Sequence, residues 1–225
     1  APICGWGQAL TEFMKDPAIL HNKARSGRSA RSFKEEGSWA GVAKLLKPGD
    51  FVIIAFGHND GNAKKTQAYS TPEEYKKIML GFAEDVKAKG ATPIFATSII
   101  HSAGLNEKDG KFTVNGNRGG IGSYVAATRE LAKETGIALL DINGYAVENL
   151  PKEMTCAEAR KFYMMLEPGE FKNYPDGHND GCHPRDTGAF WFAKAAVKMA
   201  YAPKLPVADL FKNPEAVVHT PYKDM

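Results

Sequence analysis

Residues 51–56 form an unbroken apolar run, Phe-Val-Ile-Ile-Ala-Phe, which Pro48-Gly49-Asp50 introduces and Gly57-His58-Asn59-Asp60 ends abruptly. A run this short, rich in β-branched and aromatic residues, predicts a strand that is buried on both faces. Strands of this kind occur almost only in parallel sheets whose two faces are covered by helices. The run therefore constrains the chain to an α/β fold.

Helix and strand signals alternate along the rest of the chain. Thr71-Pro72-Glu73-Glu74 combines an N-cap, a proline at the first helical position and a capping-box glutamate, and it opens a helix that Gly90 closes. Sequence patterns also predict strands at 18–24, 92–100 and 137–142, and helices at 6–14, 39–46, about 120–134 and 187–201. This alternation predicts a single α/β domain over residues 1–225, a three-layer sandwich with a central parallel sheet between helices. Its active site is expected at the carboxyl ends of the strands.

Composition excludes several classes of protein. With 43% hydrophobic and 24% charged residues among 225, the chain has the make-up of a globular protein and not of a disordered one. No apolar run approaches the roughly 20 residues that span a bilayer, and a net charge of +3 is too small to indicate a nucleic-acid partner. Cys4, Cys156 and Cys182 are odd in number and widely spaced, so they predict neither a zinc knuckle nor a closed set of disulfides.

Three polar, glycine-containing loops carry the chemistry, at 24–29, 57–60 and 180–184. Together they resemble three of the four sequence blocks of the SGNH (GDSL-type) hydrolases. The segment at 24–33, Ala-Arg-Ser-Gly-Arg-Ser-Ala-Arg-Ser-Phe, is similar to sequences of the rhamnogalacturonan acetylesterase branch of that family. The resemblance covers nearly the whole chain, including Gly5-Trp6-Gly7-Gln8 and Arg129-Glu130-Leu131-Ala132. It implies that the α/β sandwich is flavodoxin-like.

The resemblance implies a role for four residues of an esterase that needs neither a metal nor a cofactor. Gly27 would offer its backbone N–H, and Asn59 its side-chain amide, to an oxyanion. His183 would be the general base and Asp180 would orient it. An Asp-x-x-His spacing lets the carboxylate reach the imidazole Nδ1–H, which leaves Nε2 to take a serine proton. We expect these groups to line one crevice.

The sequence departs from the family pattern at the nucleophile. In the family this is the serine of a Gly-Asp-Ser block at the end of the first strand, just before the segment that resembles Gly5-Trp6-Gly7-Gln8. No Gly-Asp-Ser occurs among the 225 residues. We therefore expect the first strand and its serine to lie upstream of Ala1, and we expect the polypeptide as printed to show no serine-dependent turnover.

Other interpretations of the same residues remain open. Gly27 fits an ordinary turn, Asn59 a cap, and His183 before Pro184 a loop that enters a helix. Cys182 is an alternative nucleophile, although its neighbour His183 is poorly placed to serve it as a base. His58 and His178 suggest a metal site, but no third ligand stands at a recognisable spacing. Without its serine, the chain also fits a catalytically inactive carbohydrate-binding protein.

Five basic residues and no acidic one occupy the window 23–34 around the Gly27 loop: Lys23, Arg25, Arg28, Arg31 and Lys34. Arg25 and Arg28 are candidate substrate-binding residues because cations beside a site favour anionic ligands. The alternative is that these charges are solvated. The resemblance implies an acetylated acidic polysaccharide such as rhamnogalacturonan or pectin as substrate, with acetylxylan or another small ester as the alternative. It also implies a secreted or periplasmic protein, since such polymers are too large to enter cells.

Overall fold

The structure is a computed structural model that describes residues 2–219. Helices in this range are α1 (Trp6–Ala9), α2 (Ala30–Glu35), α3 (Ser38–Ala43), α4 (Pro72–Ala88), α5 (Gly122–Thr135), α6 (Ile142–Glu153), α7 (Cys156–Arg160) and α8 (Asp186–Tyr201). Strands are β1 (Phe51–Ala55), β2 (Thr92–Ala96), β3 (Leu105–Lys108), β4 (Lys111–Val114), β5 (Leu139–Leu140), β6 (Tyr163–Leu166) and β7 (His178–Pro184). Short 3₁₀ helices lie at Leu10–Phe13, Pro17–Ile19, Ser102–Gly104, Arg118–Gly120 and Pro206–Leu210.

These elements fall into two compact units, each built from separate segments of the chain. The sheet unit comprises Lys23–Ser98 and Gly119–Asn143. The hairpin unit comprises Ala1–Asn22, Ile99–Arg118 and Gly144–Met225, of which the described residues are considered below.

A parallel sheet organises the sheet unit. Its strands run in the order β1-β2-β5, with Ile54 opposite Phe95 and Ala96 opposite Leu140. The predicted strands at 51–56, 92–100 and 137–142 are thus present, the last two shorter than expected. Both pairings are parallel, as an apolar run without alternation indicates.

Helix α4 covers one face of this sheet because its apolar residues recur at helical spacing. Tyr75, Met79, Phe82 and Val86 are fully buried and belong to the same apolar cluster as Ile54 and Phe95. Burying a side chain of this size stabilises a fold by about 1.5–3 kcal/mol. The cluster fixes β1 from one side, and the loop that follows β1 carries Asn59.

Two antiparallel hairpins mark the hairpin unit. β6 pairs with β7 so that Met164 stands opposite Asp180 and Leu166 opposite His178. β3 pairs with β4 across a turn at Asp109-Gly110, where both residues have positive φ. The hairpin β6–β7 therefore holds the two residues predicted to be the base and its partner.

The segment after His183 is anchored by the beginning of the chain. The Cys4 N–H donates to the Pro184 carbonyl at 3.0 Å, and the Asp186 N–H donates to the Pro2 carbonyl at 3.1 Å. Helix α8 begins there, packs against α1, and buries Trp191 and Phe192. Within residues 2–219 no helix combines the length and the apolar character that a membrane span requires.

Two local predictions were wrong. Residues 18–24 form no strand: Pro17–Ile19 is a 3₁₀ helix, and residues 21–24 are exposed and irregular. No strand of the described chain lies beside this segment, so its backbone groups have no ladder to join. Residues 180–184, predicted as a loop, belong to β7. The hairpin β3–β4 lies in a segment for which no strand was predicted.

Candidate active site

Gly27 lies in an exposed turn that leads into α2. Its φ is 75°, and no atom lies within 4 Å of the place where a side chain would begin. Ser29 caps α2 by accepting a hydrogen bond from the Ser32 N–H at 3.1 Å. Gly27 is exposed, and among the described residues no hydrogen bond engages its backbone N–H.

Asn59 follows β1 and is oriented by the same turn. Its Nδ2 donates to the Arg28 carbonyl at 3.4 Å. A carboxamide has two N–H groups, so one is engaged here and the second is available to another acceptor. The structure thus brings Asn59 to the residue that follows Gly27, as expected of two donors that serve one oxyanion.

Asp60 ties these two loops together. Its fully buried carboxylate accepts hydrogen bonds from the Ala30 N–H at 2.9 Å and the Gly57 N–H at 3.0 Å, and Ser70 Oγ lies at 3.4 Å. Burial raises the pKa of Asp60 to about 6, although these hydrogen bonds oppose the shift. Asp60 therefore fixes the backbone of the two segments that carry Gly27 and Asn59.

Arg25 and Arg28 are held by a glutamate of their own unit. Arg28 Nε lies 3.0 Å from Glu36 Oε2, and Arg25 Nη1 lies 4.0 Å from the same oxygen. Arg25 also donates to Ser38 Oγ at 2.9 Å. Both guanidinium groups are partly exposed, so their contacts with Glu36 are of the weak, solvent-screened kind.

Asp180 and His183 form a hydrogen-bonded pair in the hairpin unit. His183 Nδ1 lies 2.6 Å from Asp180 Oδ2, while the other carboxylate oxygen accepts from the Cys182 N–H at 2.8 Å and the His183 N–H at 3.1 Å. An ionised carboxylate accepts only, so Nδ1 is the donor and Nε2 carries the free lone pair. The His183 side chain is 49% exposed, which leaves Nε2 accessible as a proton acceptor.

The electrostatics of Asp180 suit this arrangement. Burial by itself would raise the pKa of Asp180, but the hydrogen bonds from the Cys182 and His183 N–H groups and from the His183 ring outweigh it and lower the pKa below its usual range. Asp180 is therefore ionised at neutral pH. An ionised partner holds the imidazole in one tautomer and stabilises the imidazolium that forms when it takes a proton.

Cys182 has the wrong chemistry for a nucleophile. Burial raises the pKa of its thiol to about 11, and the nearby Asp180 charge adds to the shift. A thiol with that pKa is almost entirely protonated at neutral pH, and the thiolate is the reactive form. No disulfide joins it to Cys4 or Cys156 within the described chain.

The two histidines considered as metal ligands lie in different surroundings. His178 stands at the start of β7 with its Nε2 4.0 Å from Asp180 Oδ2, and its ring lies 5.2 Å from that of Tyr174. His58 follows β1 in the other unit. Over residues 2–219, no group of three histidine, cysteine or carboxylate side chains is arranged to hold a metal ion.

Sequence analysis missed His101, which the structure places beside the Asp180–His183 pair. Asp180 and His183 both act electrostatically on its ring, and a Cβ placed on Gly181 would lie 3.5 Å from His101 Cε1. A signal was present, because His101 directly follows the predicted strand 92–100, and sites of α/β proteins lie at the carboxyl ends of strands.

Comparisons with known proteins agree with this chemistry. The model of the GDSL-like lipase/acylhydrolase family matches residues 1–189. The rhamnogalacturonan acetylesterase RhgT of Bacillus subtilis is 31% identical over 220 residues, which is 97% of this chain and 90% of that protein. The chain is therefore related over nearly its whole length to a protein of the predicted branch.

Solved structures extend the comparison to the fold. The crystal structure of the protein YxiM from Bacillus subtilis is 26% identical and superposes with a TM-score of 0.74, over 91% of this chain and 52% of that one. An acetylxylan esterase from Geobacillus stearothermophilus, 20% identical, superposes with a TM-score of 0.52 over 78% of this chain and 69% of its own. These neighbours confirm the predicted α/β, flavodoxin-like fold class.

Proposed function

We propose that this chain, which belongs to the GDSL-like lipase/acylhydrolase family and is an SGNH-type carbohydrate esterase, removes O-acetyl groups from rhamnogalacturonan, an acidic polysaccharide of plant cell walls. The relative RhgT supports this substrate by its name. The observation that carries the proposal is the 2.6 Å contact between His183 Nδ1 and Asp180 Oδ2. The His183 side chain in this pair is about half exposed.

In the proposed reaction, His183 Nε2 removes the proton from a serine hydroxyl as the serine oxygen attacks the acetyl carbonyl. The tetrahedral intermediate collapses, the sugar oxygen leaves with the proton from His183, and an acetyl-serine ester remains. Water then attacks that ester as His183 accepts its proton, and His183 returns this proton to the serine oxygen when acetate is released. Asp180 keeps its charge throughout and stabilises the imidazolium.

We assign the oxyanion donors to the Gly27 N–H and the Asn59 side-chain amide. The exposed turn at Gly27 and the single hydrogen bond from Asn59 Nδ2 to Arg28 support this assignment, because both residues keep donor capacity. Loss of one such donor typically lowers the rate by about 10²- to 10³-fold.

The nucleophile in this proposal is a serine of a Gly-Asp-Ser block outside the 225 printed residues. The lack of that motif anywhere in the sequence supports it. Intact mass and N-terminal sequencing of the native protein test it directly. A native chain that begins at Ala1 and still hydrolyses acetyl esters would contradict it.

For the substrate, we propose that Arg25 and Arg28 attract uronate carboxylates, which would compete with Glu36 for the two guanidinium groups. The protein would then act outside the cytoplasm, where polymeric pectin is found. Acetate release from acetylated rhamnogalacturonan, measured beside acetylated xylan at equal acetyl content, tests the substrate. Faster release from xylan would overturn the rhamnogalacturonan assignment, and binding of either polymer by the native protein without release would indicate a carbohydrate-binding protein.

A further inference from the structure

His101 is held in a defined place at the end of a buried segment. Residues 97–100 are buried, and the Tyr163 hydroxyl donates to the Ile100 carbonyl at 2.8 Å. Tyr163 is the first residue of β6, the strand that pairs with the Asp180–His183 strand. His101 is the first residue of this segment to be only half-buried, so the fold presents its ring at a surface.

This surface lies beside the backbone turn that connects Asp180 to His183. A Cβ added at Gly181 would overlap Ser102 Oγ and would lie 3.5 Å from His101 Cε1. The backbone between Asp180 and Cys182 therefore packs directly against Ser102 and the edge of the His101 ring. A side chain at position 181 would displace Ser102 Oγ, and the His101 ring lies next to the reacting centre of the proposed function.

The protonation of His101 follows from its contacts. Nδ1 accepts a hydrogen bond from the Ala103 N–H at 3.2 Å, which only an unprotonated nitrogen can do. Burial lowers the pKa of the ring, Asp180 opposes the shift and His183 adds to it. A neutral ring whose Nδ1 accepts carries its proton on Nε2. Among residues 2–219 no acceptor lies within hydrogen-bond distance of that Nε2–H.

We propose that His101 is a substrate-binding residue that donates its Nε2–H to an oxygen of the sugar carrying the acetyl group. The inference rests on the proposed function and adds to it a residue that recognises the alcohol part of the ester. A neutral donor suits this task because it does not compete with His183 for a proton. It also adds no positive charge that would lower the basicity of His183 Nε2.

Two substrates separate this role from others. Acetylated rhamnogalacturonan oligosaccharides offer sugar oxygens to His101, whereas p-nitrophenyl acetate contains the same acyl group and no sugar. In the native protein, His101→Ala should lower kcat/KM about 5- to 10-fold on the oligosaccharide, the loss expected for one neutral hydrogen bond, and leave p-nitrophenyl acetate nearly unchanged. His101→Gln, which restores a donor at similar reach, should recover part of the loss. The same change at exposed His21 is the matched control.

The outcomes are distinct. Equal loss on both substrates, with a displaced pH profile, would mean that His101 positions the Asp180–His183 pair, and it would overturn substrate binding. No loss on either substrate would overturn it as well. If the native protein hydrolyses neither ester, the proposed function fails, and the affinity for the oligosaccharide, measured by calorimetry, decides the inference. Unchanged affinity in His101→Ala would overturn it. Weakened affinity in His101→Ala that His101→Gln recovers would support it.

Discussion

Among single residues, Asp180 carries the strictest chemical requirement, since its carboxylate must accept from the His183 ring and from two backbone N–H groups at once. Asp180→Asn places an N–H where one of these acceptors stands and favours the wrong imidazole tautomer. We expect kcat to fall by about 10³- to 10⁴-fold, as measured by acetate release. Asp176→Asn, at an exposed position before the same strand, is the control. A loss below tenfold would show that Asp180 does not orient the base.

Asp60 allows a second residue-level prediction, because its carboxylate is buried among N–H donors from two loops. Asp60→Asn keeps one carbonyl acceptor but turns an amide N–H toward either Ala30 or Gly57. An unmet buried donor costs about 1–3 kcal/mol. We expect the variant to unfold at lower denaturant concentration than the native protein at neutral pH and to lose activity as the loops of Gly27 and Asn59 loosen.

The pH dependence of this effect has a definite sign. The folded-state pKa of Asp60 is about 6, above the ordinary value of 3.8, so the folded protein binds this proton more tightly than the unfolded chain does. The stabilisation is complete below pH 4 and is lost as the pH rises through 6, by about 3 kcal/mol. The difference in unfolding free energy between native protein and Asp60→Asn should therefore shrink between pH 4 and pH 7.5. A constant difference would show that Asp60 is ionised in the folded protein throughout.

Which site residues could be predicted depends on how far apart they lie in sequence. Asp180 and His183 are three residues apart, so their contact is local, and the family resemblance together with this spacing predicts it. The buried role of Asp60 and the position of His101 come from tertiary contacts, with Ala30 in the first case and with Gly181 in the second. Spacing carries no information about such pairs.

Among the elements, α4 makes the clearest link between a sequence signal and stability. Thr71 Oγ1 accepts from the Glu74 N–H at 3.2 Å, and Glu74 Oε2 accepts from the Thr71 N–H at 2.8 Å. Thr71→Ala removes one acceptor for the helix N-terminus and should lower the free energy of unfolding by about 1 kcal/mol. Activity should not change, since no candidate site residue contacts Thr71. Thr66→Ala, exposed and without a described side-chain hydrogen bond, is the control in the same denaturation series.

The hairpins show why some elements escaped prediction. Asp109-Gly110 is a strong turn signal between two short strands, but the residues directly before it, Asn-Glu-Lys, are polar and carry no strand pattern. Strand β7 reads His-Asn-Asp-Gly-Cys-His-Pro, which contains no apolar alternation, and only its pairing with the apolar β6 makes it a strand. Residues 18–24 are the opposite case. Their apolar residues predicted a strand, but the described chain contains no strand that pairs with them.

At the scale of the whole molecule, the feature that matters is the edge of the parallel sheet at β1. Among residues 2–219, β1 pairs with β2 on one side only. Phe51, Val52 and Ile53 of β1 are half-exposed. A strand edge with unpaired N–H and C=O groups and apolar side chains is a template for another strand. A parallel strand added there would end at the same edge of the sheet as β1, where Asn59 follows.

This geometry leads to a prediction about the printed polypeptide and its extension. The 225-residue chain should react with no organophosphate at a serine, because none of its serines belongs to a Gly-Asp-Ser block. Fusing an apolar strand that ends in Gly-Asp-Ser ahead of Ala1 should create one labelled serine, restore acetate release and raise the unfolding free energy, since the strand gains a ladder with β1. The same fusion ending in Gly-Asp-Ala should keep the added stability and lose the label. Labelling of the unextended chain, or a fusion that stabilises nothing, would mean that the nucleophile and the open edge of β1 have been misread.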